Sequence, residues 1–335
     1  MKFVILGAGG LGSVIGGYLA NAGEQVTLIG RQAHMDAINE NGLKIDGCRG
    51  DFHIAENLTG VTSPDDAEGE FDYLILLVKG KDTETALAEA EQLKNRCKNV
   101  LSLQNGIGKE KRLIEWAGDK VIGASTIEGG TLHEPGHASN PITTPTTAYF
   151  GELDGGITPR IEAITDAFNR AGLGARSMED IYHVLWEKLV QICTASSWSV
   201  STLAGGDLYF ADGLAVREGA EHYVAIAREL LTVYAALGYQ PENFYAPMSQ
   251  FKELNSVSDE KAIEIMQALG ERMKNDPGGR RGRTSMHEDV TRGRKTEVDE
   301  IIKPFLVKAA ELNIEIPTVN AVYRIIKVLD NYLKH

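Results

Sequence analysis

The sequence predicts an α/β fold: an N-terminal, Rossmann-type doubly wound parallel sheet followed by an all-α C-terminal domain. Three observations predict it. Short, nearly continuous apolar runs alternate with helix-compatible stretches through the first half, as expected for strands buried on both faces of a parallel sheet. The first run, Met1 to Leu6, passes directly into Gly7-Ala8-Gly9-Gly10-Leu11-Gly12 and then a helical stretch, Ser13 to Ala22. From about Ile181 strand signals give way to long helical patterns.

The glycines form a G-x-G-x-x-G between strand and helix, the setting that gives this motif its meaning. Gly7 allows the tight turn, Gly9 lets backbone approach a pyrophosphate, and Gly12 lets helix and strand pack closely. Ala8, Gly10 and Leu11 complete the loop, and the opening helix amides point at the phosphates. The reading is a dinucleotide site; an ordinary glycine-rich βα turn is the alternative. Gln25 to Ile29 is the second strand, ending about 20 residues beyond the glycines, where a carboxylate would bond the ribose 2′-OH of NAD. The chain instead has Gly30-Arg31, and an arginine suits the 2′-phosphate of NADP. NADP(H) is the expected cofactor, a solvated arginine the bland alternative.

Phe71 to Val78 is the next buried strand, followed by a helix over Thr83 to Gln92. Val100 to Leu103 ends in Gln104-Asn105-Gly106, Lys120 to Ile127 continues the pattern, and Thr147 to Phe150 is a further strand. Pro159 to Ala171 is an amphipathic helix with proline in its first turn. Beyond the boundary, helices are expected over Trp186 to Ser201, Leu214 to Leu237 (ended by Gly238), Glu260 to Lys274, Glu288 to Asn313 and Val319 to Leu333. Pro304 should kink or break the fourth. The expected domains are 1–180, binding NADP, and 181–335, all-helical and bearing substrate and catalytic groups, with a small substrate in the cleft between them.

Composition excludes several function classes. With 335 residues, 43% hydrophobic and 24% charged, the chain is ordinary globular material. A net charge of −13 argues against nucleic-acid binding. No apolar run reaches the ~20 residues of a membrane span. Cys48, Cys97 and Cys193 make neither a metal set nor a disulfide framework, and no signal peptide precedes the first strand, so a cytoplasmic enzyme is expected. His133 and His137 lack a third ligand at metal spacing, so no metal is expected. Trp198, Tyr209, Phe210, Tyr223 and Tyr234 read as core or interface. The long helices offer apolar faces that a homodimer would bury, without fixing the oligomeric state.

A nicotinamide enzyme that reduces a carbonyl needs an acid for the developing alkoxide. Lys188, between Trp186 and Leu189-Val190, sits early in an apolar helix, where partial desolvation would lower its pKa. A snorkelling lysine is the competing reading. In the C-terminal run, Ser285 and Asp289 lie at i and i+4 with Glu297 two turns further, unless this is merely a solvated charged helix.

Taken together, Gly7 to Gly12, Arg31, Val78-Lys79, Leu103-Gln104-Asn105-Gly106, Trp186-Glu187-Lys188-Leu189, Ser285-Met286 with Asp289, and Thr296-Glu297-Val298-Asp299 resemble the ketopantoate reductase (2-dehydropantoate 2-reductase) family along essentially the whole chain. The resemblance implies pro-S hydride delivery from NADPH to a 2-keto acid, giving a 2-hydroxy acid, within pantothenate biosynthesis if ketopantoate is the substrate. It implies Lys188 as general acid and Glu297 as its partner, contacting substrate or orienting the lysine. It implies Asn105 near the nicotinamide and the reacting centre, Lys79 along the cofactor, and Ser285 on the substrate carboxylate.

The chain departs from the family pattern where the substrate would lie. Ile192 and Ser196 stand where asparagines are usual, four and eight residues beyond the lysine. Arg280-Arg281-Gly282-Arg283 precedes the Ser-Met pair, and Ile302-Lys303-Pro304 replaces an Asn-Gly pair. Losing an asparagine leaves a buried substrate hydroxyl unpaired, at roughly 1–3 kcal/mol. A keto acid more apolar near Ile192 is therefore expected, with Arg281 or Arg283 as a carboxylate clamp or simply as part of a solvated loop. Two rivals remain: another two-domain hydroxyacid or opine-type dehydrogenase, and a non-catalytic NADP(H) sensor, which would need neither Lys188 nor Glu297.

Overall fold

The computed structural model describes residues 1–141, 143–203, 208–276 and 282–334. The chain divides into two compact units, Met1–Leu185 and Trp186–His335.

The first unit runs β1 (Lys2–Leu6), α1 (Gly10–Asn21), β2 (Gln25–Ile29), α2 (Gln32–Asn41), β3 (Leu43–Gly47), β4 (Phe52–Ile54), β5 (Leu58–Val61) and β6 (Phe71–Leu76). It continues with α3 (Thr83–Glu89), α4 (Leu93–Arg96), β7 (Cys97–Ser102), α5 (Lys109–Ala117), β8 (Gly123–Thr126), β9 (Thr131–Glu134), β10 (His137–Asn140), β11 (Ala148–Gly151), α6 (Pro159–Arg170) and β12 (Ala175–Ser177). The central sheet has the order β5-β2-β1-β6-β7 and all its pairs are parallel. The chain moves outward one way from β1 and then the other, so the direction reverses between β1 and β6. Ligands bind outside the carboxyl ends of strands at such a switch point.

Burial follows the strand period of two. Phe3 and Ile5 join one core with Val14, Ile15 and Leu19 of α1, whereas Val4 and Leu6 join another with Leu87, Leu93 and Leu113. Both faces of β1 are thus covered, which is why its sequence is a continuous apolar run. Each such Ile or Leu contributes about 1.5–3 kcal/mol on burial.

Two smaller sheets, β4-β3-β10-β9 and β12-β11-β8, add to the unit. The first of these was not expected from the sequence. Its strands are three to five residues long and carry polar or glycine positions such as Lys44, Asp46, His133 and Ser139.

The second unit takes over within α7 (Ile181–Leu203) and continues with α8 (Phe210–Leu214), α9 (Arg217–Ala236), α10 (Phe251–Ser256), α11 (Asp259–Lys274), α12 (Ser285–Thr291), α13 (Val298–Ile301), α14 (Lys303–Glu311) and α15 (Pro317–Asp330). Among the described residues it contains no strand beyond an isolated bridge, Arg294 to Lys334. Its core is aromatic: Trp198 is fully buried, donates to the Gly219 carbonyl at 2.7 Å, and meets Phe210 and Tyr223 edge to face. Glu229 of α9 accepts the Thr318 and Val319 amides at 2.9 Å each, capping α15 with a carboxylate where the helix dipole favours one. No helix among the described residues is long and apolar enough to cross a membrane.

One expected element is corrected. The helix expected over Glu288 to Asn313 is three helices, because α12 stops at Gly293, which takes φ +68°. Thr296 is then held by Asp330, through its amide at 3.0 Å and its hydroxyl at 3.0 and 3.1 Å. Pro304 falls in the first turn of α14, where its missing N–H costs nothing. Glu297 therefore does not lie two helical turns beyond Asp289 on one helix; it is the N-cap of α13.

Candidate active site

The candidate nucleotide site of the first unit is made mostly of backbone. At the end of β1 the amides of Gly7 and Ala8 donate to the Ile29 carbonyl at 3.2 and 2.9 Å. Gly7 takes φ +113°, and a Cβ there would stand 2.4 Å from the Val78 amide nitrogen. A Cβ on Gly12 would stand 2.3 Å from the Gly7 carbonyl oxygen, so helix and strand approach closely only because both residues lack side chains. Gly9 differs: it is exposed, is the N-cap of α1, and has nothing within 4 Å of a Cβ position. The amides of Gly10, Leu11 and Gly12 open the helix with no acceptor within it, and no acidic residue lies in that turn. Open space over free helix amides is what an anionic diphosphate requires.

The walls of this loop are tied by polar side chains that carry no sequence motif. Gly10 packs on the backbone of Gly130. Behind Gly130, Arg49 donates to both oxygens of buried Glu128 at 2.7 and 2.9 Å and to Asn140 Oδ1 at 2.6 Å. Asn140 in turn donates to Glu128 at 2.6 Å and to the Gly129 carbonyl at 2.9 Å. On another side, the Gly136 amide donates to buried His34 Nδ1 at 2.9 Å. The ring proton must then be on Nε2, which lies 2.9 Å from Ser13 Oγ in the first turns of α1. Burial holds the His34 pKa below the ordinary histidine value.

Arg31 is exposed at the tip of β2 and is the N-cap of α2. Lys79 and Asn105 are exposed in the segments that follow β6 and β7. Arg31, Lys79, Asn105 and the glycine loop thus share the carboxyl edge of the parallel sheet.

Along α7 and beyond it the candidate residues are side chains. Asp180 accepts the Tyr182 and His183 amides at 3.0 and 3.3 Å and so starts α7. At 3.6 residues per turn, Lys188, Ile192, Ser196 and Ser199 fall on one stripe of this helix. Lys188 is only 6% exposed, which is not the burial of a lysine snorkelling to solvent. Ile192 and Ala195 are the only half-exposed positions between Val184 and Val200, and Ser196 is buried. Ser199 Oγ and Thr284 Oγ1 are 2.7 Å apart, and Thr284 caps α12 through the His287 amide at 3.2 Å. That pairing brings exposed Ser285, first residue of α12, to the stripe that carries Lys188. Glu297 is half-buried ahead of Val298.

Glu187, the neighbour of Lys188, has a role the sequence did not reveal. Its buried carboxylate accepts the Glu242 amide at 2.6 Å, the Phe244 amide at 2.9 Å, and the Ser249 and Tyr234 hydroxyls at 3.4 Å each. Burial and this carboxylate both push the Tyr234 phenol well above its ordinary pKa. Glu187 therefore anchors the 240–249 loop to the helix that carries Lys188. Trp186 adds an edge-to-face contact with Phe305 of α14.

The arginine cluster is described only in part, since Arg280 and Arg281 lie outside the described residues. Arg283 stacks over the Tyr209 ring at 4.5 Å and lies 3.7 Å from the Glu288 carboxylate. Among the described residues no group of His, Cys, Asp and Glu suits a metal.

Comparison with known proteins covers both units. Residues 3–155 match the family model for ketopantoate reductase PanE/ApbA, and residues 180–330 match that for the ketopantoate reductase PanE/ApbA C-terminal region. A 2-dehydropantoate 2-reductase of Pyrococcus horikoshii is 32% identical over 334 residues, covering 99% of this chain and 98% of that protein. A PanE/ApbA family ketopantoate reductase of Ralstonia eutropha superposes with a TM-score of 0.77 at 22% identity over the full length of both chains. D-mandelate dehydrogenase, solved with NADH and anilino(oxo)acetate, gives 0.75 at 21% identity over 99% of each chain. At those identities the two structural likenesses establish the fold, while the family models and the archaeal relative establish descent. The chain belongs to the ketopantoate reductase PanE/ApbA family.

Proposed function

We propose that this protein is a cytoplasmic, NADPH-dependent reductase that converts a 2-keto acid to the 2-hydroxy acid, with 2-dehydropantoate, for which its relatives are named, as the first substrate to assay. The full-length match to the archaeal reductase carries this reading, because it spans both units and every residue of the mechanism. In it the first unit binds the cofactor and the second supplies substrate and catalytic groups.

Free amides at Gly10 to Gly12 and the open space at Gly9 fit a pyrophosphate. Arg31 pairs with a 2′-phosphate, and Lys79 lies along the cofactor. A bound dihydronicotinamide supplies the hydride. Lys188, as its ammonium, gives the proton that the keto oxygen takes up as its carbon is reduced. Glu297 favours that charged form against the desolvation of a lysine so deeply buried. Asn105 binds near the reacting carbonyl, and Ser285 binds the substrate carboxylate.

The half-exposed, apolar Ile192, one turn from Lys188, favours an uncharged, hydroxyl-free substrate tail on that side. Oxidation of NADPH and of NADH, measured over a panel of 2-keto acids that includes ketopantoate, tests both points. A kcat/KM of ~10⁵ M⁻¹s⁻¹ or more for ketopantoate, well within the usual enzyme range, would refute the apolar preference. Inactivity on every 2-keto acid would refute the reductase reading. Ile192→Asn should shift the ratio of kcat/KM toward the hydroxylated substrate by about tenfold, the worth of one buried hydrogen bond.

A further inference from the structure

The ends of β6 and β7 lie side by side, with Leu76 paired to Ser102. Three residues beyond each of these stand Lys79 and Asn105, both exposed. Gln104 connects the two segments. Its Nε2 donates to the Val78 carbonyl at 2.6 Å and to Thr83 Oγ1 at 2.9 Å, and its Oε1 accepts from Ser102 Oγ at 2.9 Å. The residue before Asn105 is thereby fastened to the residue before Lys79.

A buried lysine holds the same peptide by its carbonyl. Lys109 Nζ donates to the Gln104 carbonyl at 2.9 Å and to the Ala124 carbonyl at 3.0 Å, with a Glu110 carboxylate oxygen 3.5 Å away. Lys109 is 8% exposed. The Gln104 carbonyl belongs to the planar peptide that ends in the Asn105 nitrogen, so fixing that oxygen fixes the plane from which Asn105 departs. Neighbouring Gly106 and Gly108 take φ +92° and +99°, a backbone that would otherwise be among the freest in the chain. A buried ammonium is a costly way to hold a turn. It is intelligible if the turn's position matters more than its stability.

We propose that Gln104 and Lys109 are positioning residues that set the spacing and orientation of Lys79 and Asn105, and that they act on cofactor binding and turnover only through those two side chains. This rests on the reading of Lys79 and Asn105 as cofactor- and substrate-facing. A residue with a merely structural role would lower stability and leave the activity per folded molecule unchanged.

The test is a double-mutant cycle on the full chain, with NADPH fluorescence titration, steady-state kinetics and thermal melting as readouts. Gln104→Met should weaken NADPH binding about five- to tenfold in the native background and much less in a Lys79→Ala background. It should lower kcat about tenfold with Asn105 present and far less with Asn105→Ala. Additive losses in both backgrounds overturn the proposal, as does a folded Gln104→Met variant with native affinity and kcat. If Lys79→Ala and Asn105→Ala are themselves without effect, the reading of the site fails and this inference with it. If they impair function while the cycle is additive, the inference alone fails. Lys109→Met beside Lys109→Arg is the second arm, and it decides the matter should Gln104→Met not fold. The methionine should reproduce the losses and the arginine restore most of them; equal kinetics for the two overturns the role assigned to the ammonium.

Discussion

Each unit carries its own group of candidate residues, and the two groups are built by opposite means. In Met1–Leu185 the surface proposed to meet the cofactor is mostly main chain: the amides that open α1 and the side-chain-free space at Gly9. In Trp186–His335 the groups proposed for substrate and catalysis are side chains: a lysine and two serines on and beside a long, buried helix. Backbone sites depend on a few residues that must be small and in fixed sequence order. Side-chain sites depend on partners distant in sequence, as where Ser199 meets Thr284 and Glu187 meets the 240–249 loop. One region is therefore sensitive to added atoms, the other to lost ones.

The largest expected effect comes from subtraction in the second region. Lys188→Ala should lower kcat by about 10²–10⁴, the usual contribution of a positioned general acid. NADPH affinity, measured by fluorescence titration, should change little. A variant that keeps turnover, or loses cofactor binding in proportion, would break the division between the units. Addition in the first region comes next. Gly12→Ala normally gains about 1 kcal/mol of helix propensity. Here the new methyl would stand 2.3 Å from the Gly7 carbonyl oxygen, and backbone cannot swing aside. Overpacking of about 1–3 kcal/mol or more should win. The variant should melt lower and bind NADPH more weakly, with a Tm at or above native contradicting the close approach.

The same contrast explains what the sequence revealed. The strand, glycine loop and first helix were legible because turn, approach and packing are set by residues seven to twelve, all adjacent in the chain. The sheet around β3 and β10 was not, since Lys44, Asp46, His133 and Ser139 interrupt any apolar alternation. Glu288 to Asn313 read as a helix broken only at Pro304, where α14 does begin afresh, because its periodicity continues across Gly293; the earlier break there is held by Asp330, more than thirty residues on. Lys188 was identifiable as a candidate, but its burial came only from the fold. Gln104 and Glu187 stood inside recognisable motifs, but their contacts, like those of Lys109 and the Arg49–Glu128–Asn140 cluster, were not legible for the same reason: such polar groups owe their roles to partners far away in sequence.

A smaller effect tests the cofactor edge. Arg31→Ala should raise KM for NADPH about ten- to a hundredfold, as expected for losing a charge-assisted contact, while leaving KM for NADH nearly unchanged. Equal changes for the two cofactors would remove Arg31 from 2′-phosphate recognition and place it among ordinary exposed arginines.

The smallest effect comes from one side chain that the backbone site does depend on. His34 accepts the Gly136 amide on Nδ1 and lies beside Ser13 through Nε2, so only the neutral ring with its proton on Nε2 satisfies both partners. Burial depresses its folded pKa below the ordinary value of 6.5. As pH falls from 6.5 toward that lower value, the unfolded chain takes up a proton that the folded chain resists. The stability contributed by the neutral ring is therefore fully present above pH 6.5 and is lost on acidification. NADPH affinity should decline over the same interval, because α1 carries both Ser13 and the amides proposed to meet the phosphates. His34→Gln, which cannot take up that proton, should flatten both profiles in this window. A native-like acid limb in the glutamine variant would assign the pH dependence to other groups and leave the glycine loop independent of the His34 side chain.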